Sequence, residues 1–568
     1  MTVLLLISGT YIVSDYFTAE GINEGVVYHL QYGLEGAGYS EYAGIISLAV
    51  FVISLSIFLP SILLRNHRKD RKSNSPSAIA LTFIAAVFAF AINPASANFY
   101  KIFVTSNAPN ISFASKFREP LVSESGSPEK NFIFIYAEQF ERSYFDEAIF
   151  PSIAKNLKVL EKESIHFTNI AQTYGTGWTI AGMTASQCGI PLITSSLGNS
   201  MSGMPDFLKG AECIGDLLKT QQYRLSFYGG ASLAFAGKGK FYRSHGFTGV
   251  HGREELVSTI DEENYQNAWG LYDDSLLDLA FKEFTRASEA EEKFGLYLLT
   301  LDTHHPSGHS SKSCENIKYQ DGSNPILNSI ECTDYLISNF VNKVRSSEYS
   351  DQTVIVITSD HLAMKNTATS ELNKTTRTNL FFINMPDGQG KRISKPGNTM
   401  DIAPTLLSAL GYETDLGLGR NLLDANNKSL SEEIVDLNKA LRSWTSPLSQ
   451  FWEHPQFDGL RIDLKHQKVT LSDKDYYFPI LIAVSPSLST EYYFEIDSEL
   501  KLKDYLHTIN PGDAYIWLDR CQHLPVPWQK NGRFCILAGK TGSRIFSNWA
   551  LSENDSVTVK DIKAILNA

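Results

Sequence analysis

The 568-residue sequence has no excess of positive charge: 50 lysines and arginines stand against 62 aspartates and glutamates, a net charge of −12. Proteins that grip nucleic acid carry a basic face to neutralise phosphates, so nucleic acid is set aside as a partner. Cysteine is scarce, six in all. None has zinc-finger spacing, so a zinc-finger scaffold is excluded as well. No solenoid-type repeat and no long low-complexity tract is present, which removes repeat arrays and disordered scaffolds. Charged residues make up only 20% against 43% hydrophobic, the balance of a folded protein. The length exceeds what one simple core serves, so two or more domains are expected.

Charge is missing altogether from "AGIISLAVFVISLSIFLPSILL", 43–64, and from "SAIALTFIAAVFAFAINPASANFY", 77–100. Each is long enough to cross a bilayer, which takes about 20 residues. Between them lies "RNHRKDRK", 65–72, which the positive-inside rule places in the cytoplasm. Buried core helices are the competing reading, but the basic loop sits where membrane topology needs it. "TVLLLISGTYIV", 2–13, is a shorter third apolar run. This topology puts everything after residue 100 outside the cytoplasm. "PASA", 94–97, resembles a signal-peptidase site, so a released form is a minor alternative to a plain helix end. The cysteines suit an oxidising compartment. Closeness in sequence suggests pairing 188 with 213, 314 with 332 and 521 with 535, one of fifteen possible arrangements.

The expected divisions are a transmembrane region at 1–100, a linker at 101–128, an α/β catalytic domain at 129–428 and a small β-rich domain at 429–568. Three apolar runs read as buried strands: "NFIFIYAE", 131–138, "FGLYLLTLD", 294–302, and "TVIVITSD", 353–360. Helical patterns alternate with them, which implies a mostly parallel sheet flanked by helices. Each run ends on an acid: Glu138, Asp302 and Asp360. One such ending is ordinary, because any chain leaving a sheet turns polar. Three endings, with His304 and His361 beside them, point to a site at the carboxyl edge.

"TYGTGWTIAGM", 173–183, sets Thr179 between a Gly-rich loop and a helix start. A threonine there is an N-cap, a nucleophile facing a phosphate on the helix dipole, or both. Glu138, Thr179, Asp360 and His361 offer three oxygens and a nitrogen, a set suited to Mn²⁺, Zn²⁺ or Mg²⁺. His304, in "LDTHHPSGH", 301–309, is placed to bond a phosphoryl group or to protonate a leaving oxygen. Lys238, in "FAGKGKFY", 235–242, is placed to meet a phosphate, against the alternative of a solvated basic turn. Trp517, Trp528 and Trp549 of the last domain are candidates for stacking on sugar rings, though aromatics in a small β domain usually pack its core.

Glu138 after a strand, "GTGWTIAGM", "THHP" and "SDH", in that order, resemble the alkaline phosphatase/sulfatase superfamily. "TGWTIAGMTASQCGIPL", "FAGKGKFYRSHGF", "WGLYDD" and "LTLDTHHPSGHSS" are similar to its phosphoglycerol transferase branch, which includes lipoteichoic acid synthases. Most of residues 15–425 carry the likeness, including "DYFTAEGINEGVVYHLQYGLEGAG", 15–38. It implies an alkaline phosphatase-like fold with a Thr179 nucleophile. It also implies one divalent metal, manganese in the teichoic acid relatives, on Glu138, Thr179, Asp360 and His361. His304, Lys238, Trp269, Asp273 and Asp302 match substrate-binding segments. The implied donor is phosphatidylglycerol in the inner membrane, and the implied acceptor is a periplasmic glucan. Phosphoethanolamine transfer, glycerol-phosphate polymerisation, sulfate ester hydrolysis and a non-catalytic glucan-binding role are the alternatives. Cys188 lacks the Cys-x-Pro-x-Arg setting of a sulfatase nucleophile. One departure stands out: the Glu-Ser pair common in this branch is Glu138-Gln139 here, so the hydrogen bonding behind the ligands should differ.

Overall fold

The computed structural model describes residues 2–18, 21–23, 25–27, 37, 39–69, 76–103, 111–120, 122–124, 130–193, 206–262, 264–452, 457–471, 474–486, 488–494, 501–507, 509–525, 533–543, 546–552 and 555–567. They form two compact units. One comprises 1–207 and 212–449, the other 208–211 and 450–568. The first unit thus continues past the boundary expected at 428.

The chain opens with α1 (Thr2–Thr18), α2 (Ala43–Lys69), α3 (Pro76–Ala91) and α4 (Pro94–Phe103). Among the described residues, one helix is long and apolar enough to cross a membrane, through Ala43–Ile62. The second apolar run is not the single helix expected. It divides at Asn93-Pro94, because proline has no N–H to continue a helix and favours a helix start. Asn93 caps the new start, its Oδ1 accepting from the Ala95 amide at 2.9 Å. "PASA" is therefore the first turn of α4, with Ala95 fully buried, rather than an extended cleavage site.

The main sheet of the first unit has eight strands: β1 (Asn131–Ala137), β2 (Ile165–Phe167), β3 (Arg224–Gly229), β4 (Gly249–His251), β5 (Phe294–Leu299), β6 (Thr353–Ser359), β7 (Phe381–Asn384) and β8 (Lys391–Ile393). Their order across the sheet is β8-β2-β7-β6-β1-β5-β3-β4. All pairings are parallel except those of β7, which runs against both neighbours. β1, β5 and β6 are apolar along their length because helices cover both faces. The helices that concern the site are α5 (Lys155–Lys162), α6 (Thr179–Cys188), α7 (Lys238–Ser244), α8 (Asp273–Glu289) and α9 (Pro325–Arg345). In α8, Leu276, Leu277, Ala280, Phe284 and Ala287 make one buried stripe at helical spacing. α9 starts on Pro325 and ends with Lys343 and Arg345 against its dipole.

The C-terminal unit holds two antiparallel sheets, one of four strands and one of five. Trp517 is 1% exposed there, so it packs the core and is not available to stack on a sugar. Trp528 and the Trp549 side chain lie outside the described residues. All three disulfides join the cysteines nearest in sequence, Cys188–Cys213, Cys314–Cys332 and Cys521–Cys535. Loops of this size make each bond worth roughly 3 kcal/mol in the chain-entropy account.

Candidate active site

Three neighbouring strands, β6, β1 and β5, deliver the site. Ala137 pairs with Ser359 and Tyr136 with Leu299, so the chain leaves all three strands at one level of the carboxyl edge. Glu138, Asp360 and His361 follow directly. They are buried, and one ligand atom from each lies within 4.8 Å of the others. His361 Nε2 is 3.3 Å from Asp360 Oδ2 and 3.9 Å from Glu138 Oε1.

The Leu362 carbonyl accepts the His361 Nδ1 proton at 2.7 Å, which leaves Nε2 as the ring nitrogen that meets the cluster. Asp360 Oδ1 accepts from the Gln139 and His361 amides at 2.9 and 2.8 Å. Its Oδ2 is buried without a hydrogen-bond partner. A buried carboxylate oxygen in that state is costly unless a cation meets it. Burial, and after it the charge of Asp360, push the Glu138 carboxyl well above the usual range. Two carboxylates and one imidazole lone pair, dry and converging, fit a divalent cation. The other trio of metal-binding residue types, Cys188, Cys213 and His245, offers nothing comparable. Its sulfurs are bonded to each other, and both ring nitrogens of His245 are engaged, by Asp216 and the Phe207 carbonyl.

Thr179 is the first residue of α6, and the N-cap position is held by Trp178, which makes no side-chain cap bond, so the threonine is not the cap. The threonine hydroxyl is free of cap bonds and lies 3.5 Å from His361 Nε2. Ile180 to Cys188 are all buried, whereas Thr179 is partly exposed. Gly182, one turn on, lies against the strand end. A Cβ there would sit 1.7 Å from the Asp360 carbonyl oxygen, so only glycine lets this helix approach the ligand. The loop ahead is tied down as well. Gln172 accepts from the Leu362 amide at 2.8 Å, and Thr176 bridges to the backbone of Thr173.

Lys238 begins α7 after Ala236 and Gly237, both in left-handed conformations. It is buried, so it is not a solvated turn. Burial lowers its pKa to about 8, while the charges of Glu138 and Asp360 pull the other way. His304 packs at a tilt against Trp269, with ring centres 4.2 Å apart. Its Nδ1 donates to the His305 carbonyl at 2.9 Å. Burial, and secondarily the neighbouring His305, hold the His304 pKa well below the usual value. With its proton held on Nδ1 and its pKa lowered, the ring has Nε2 left as an acceptor, which suits a hydrogen-bonding role better than the protonating one, the two roles expected from the sequence.

Asp273 and Asp302 are buried beside each other. Both carboxylate oxygens of Asp273 are taken by the Leu301 and Asp302 amides, at 2.6 and 3.2 Å. Asp302 Oδ2 accepts from Ser311. Burial first raises both pKa values, that of Asp273 to about 7. Their bonds shape the 301–311 loop, and Asp302 Oδ1 is buried without a hydrogen-bond partner.

Sequence reasoning missed the residues that hold the ligand loop. Gln139, at φ 52°, donates through Nε2 to Glu138 Oε1 and accepts on Oε1 from the Met364 amide, both at 2.9 Å. Buried Glu141 takes Arg377 and the Ala363 amide. The one sequence signal was the Gln in place of Ser after Glu138. Gln139→Ala is expected to weaken Mn²⁺ binding by about 10- to 100-fold, the usual cost of losing a residue behind a metal ligand. Titration with Mn²⁺ followed calorimetrically checks it, and an unchanged affinity would contradict the role.

A mostly parallel sheet that gathers Glu, Asp, His and a helix-start threonine at its carboxyl edge belongs to the alkaline phosphatase/sulfatase class. The family model described as sulfatase matches residues 130–412. Models of the N-terminal and middle domains of phosphoglycerol transferase I match residues 1–111 and 458–564. Phosphoglycerol transferase I from Escherichia coli strain K12 is 36% identical over 549 residues, 94% of this chain and 70% of its own length. The protein of that name from strain O127:H6 is equally similar. The chain belongs to the phosphoglycerol transferase I family. Among solved structures, a lipoteichoic acid synthase from Listeria monocytogenes gives a TM-score of 0.47 at 17% identity, covering 63% of this chain and 98% of its own. An alkaline phosphatase superfamily protein from Vibrio parahaemolyticus gives 0.47 at 21%, covering 61% and 94%.

Proposed function

We propose that the chain is a phosphoglycerol transferase. It takes glycerol phosphate from phosphatidylglycerol, releases diacylglycerol, and passes the group to a hydroxyl of a periplasmic glucan. The observation that carries this is the free Thr179 hydroxyl, at a helix start and 3.5 Å from His361 Nε2 in a buried cluster of acids. Membership of the phosphoglycerol transferase I family names the group transferred.

In the first half-reaction Thr179 Oγ attacks phosphorus, opposite the diacylglycerol oxygen, and a phosphothreonine ester forms. The N–H groups at the start of α6 face the phosphoryl oxygens. Lys238 supplies positive charge where negative charge develops. His304 accepts a hydrogen bond from the glycerol moiety or from the incoming sugar hydroxyl. In the second half-reaction that sugar oxygen displaces threonine, which gives ping-pong kinetics. Glu138, Asp360 and His361, with Thr179, would hold one divalent cation, for which we propose manganese; bound there, it lowers the hydroxyl pKa and polarises a phosphate oxygen. Cys188 cannot serve as a sulfatase nucleophile while bonded to Cys213.

The enzyme sits in the inner membrane in this reading. The apolar runs at 43–64 and 77–100 cross the membrane, the basic segment 65–72 lies in the cytoplasm, and the catalytic unit faces the periplasm. The C-terminal β unit is an accessory domain.

The test offers the full-length enzyme phosphatidylglycerol or phosphatidylethanolamine with a β-glucan acceptor and follows diacylglycerol and glucan-bound phosphate. Transfer from phosphatidylglycerol alone is expected. Preference for phosphatidylethanolamine would replace this reading with phosphoethanolamine transfer. Lys238 adds a pH signature. As pH rises through about 8 the lysine loses its proton, so kcat/KM falls on the alkaline side. Lys238→Met is expected to lower kcat/KM by roughly 100-fold and to abolish that limb. A full alkaline limb in the variant would assign it to another group.

A further inference from the structure

The stretch between α1 and α2 does more than connect two apolar helices. Its Tyr42 is buried against the loop that carries His304. The Tyr42 hydroxyl donates to the His305 carbonyl at 3.2 Å, the same oxygen that takes the His304 Nδ1 proton. The Tyr42 ring lies edge-on to Trp269 with centroids 6.0 Å apart, and Trp269 is the ring against which His304 packs. Tyr42 thus touches both supports of one imidazole. Glu41 holds the far end of that loop, with its Oε1 3.0 Å from His309 Nε2.

The second catalytic loop is gripped from the same side. Asp15 pairs with Lys365 at 2.9 Å, and the Lys365 amide donates to the Phe17 carbonyl at 3.2 Å. Lys365 follows Met364, whose amide is bonded to Gln139 behind the Glu138 ligand. Phe17 also packs on Tyr42 and His305. These contacts converge on the two histidine loops, which a plain membrane tether has no need to touch.

We infer that Asp15, Phe17, Glu41 and Tyr42 are working parts of the active site, with Tyr42 as the positioning residue that fixes the His304 imidazole toward substrate. The consequence for catalysis rests on the phosphoglycerol transfer reading; the contact itself does not. Because Tyr42 adjoins the helix that can cross a membrane, the site is completed only by the membrane-proximal part of the chain.

The experiment compares full-length wild type, Tyr42→Phe and Tyr42→Ala by two readouts. The first is amide hydrogen exchange in 301–309 with no substrate present. The second is kcat and KM with phosphatidylglycerol. Exchange is expected to rise about tenfold in Tyr42→Ala. kcat is expected to fall about tenfold in Tyr42→Phe, which keeps the ring and loses the hydroxyl, and about 100-fold in Tyr42→Ala, with KM within twofold. Unchanged exchange and unchanged kcat in a folded Tyr42→Ala overturn the inference. If Tyr42→Ala does not fold, Tyr42→Phe decides: wild-type kcat overturns the positioning role, and a loss confined to kcat supports it. A wild type that turns over no phosphatidylglycerol sinks the transfer reading, and the exchange result then decides the inference alone.

Discussion

Thr179→Ala is expected to abolish the covalent phosphoglycerol adduct and to cut turnover by about 10⁴-fold or more. The substitution is clean for a structural reason. Thr179 is not the cap of α6, its side chain is partly exposed, and alanine is the better helix former. Stability should therefore move by no more than about 0.5 kcal/mol, the usual range for a surface change. Intact mass spectrometry of the full-length protein, mixed with phosphatidylglycerol and Mn²⁺ without acceptor, reads the adduct. Wild type should gain one phosphoglycerol and release an equal amount of diacylglycerol, and the variant should do neither. Thr179→Ser keeps a hydroxyl at the same place and should retain the adduct. Transfer that persists in Thr179→Ala would mean direct displacement by the acceptor, and the two-step mechanism would have to be given up.

The catalytic centre was legible in the sequence for physical reasons. Its strands are buried on both faces, so they appear as unbroken apolar runs, and the acid that ends each run marks the sheet edge. Glu138, Asp360 and His361 are adjacent in space because β1 and β6 pair in register. That pairing is the commonplace consequence of alternating strands and helices. Asp302 obeys the same pattern, and the loop that follows returns to it, with Ser311 donating to its Oδ2 and Asp273 accepting from its amide. A strand-end acid signals the edge of the sheet, and only the loop that follows decides which way it points. Tyr42 was invisible for a different reason. It lies 263 positions from the carbonyl it bonds, and no local pattern encodes such a contact. The break at Asn93-Pro94 was written in the sequence and was outweighed by apolar length, although a proline inside an apolar run argues for a new helix start.

Asp360→Asn is expected to separate metal binding from folding, with opposite signs in the two. In the wild-type cluster, Glu138 and Asp360 face each other in a buried setting, and Asp360 Oδ2 lacks a partner. Removing one negative charge relieves that repulsion, so the metal-free variant should melt no lower than the metal-free wild type. Adding Mn²⁺ should then stabilise only the wild type. At a concentration 100 times the dissociation constant the gain is about 2.7 kcal/mol, a rise of several degrees in Tm. The variant lacks the second carboxylate and should show no such rise, with its transfer activity lost alongside. The wild-type rise should also shrink as pH falls, because the raised pKa of Glu138 means protons compete for the ligand sooner than at an ordinary glutamate. Thermal melts with and without Mn²⁺, at two pH values, contain all of these comparisons. A variant that melts well below the metal-free wild type would show that Asp360 is chiefly structural, holding the Gln139 amide. A variant with a full Mn²⁺ shift would place the metal elsewhere.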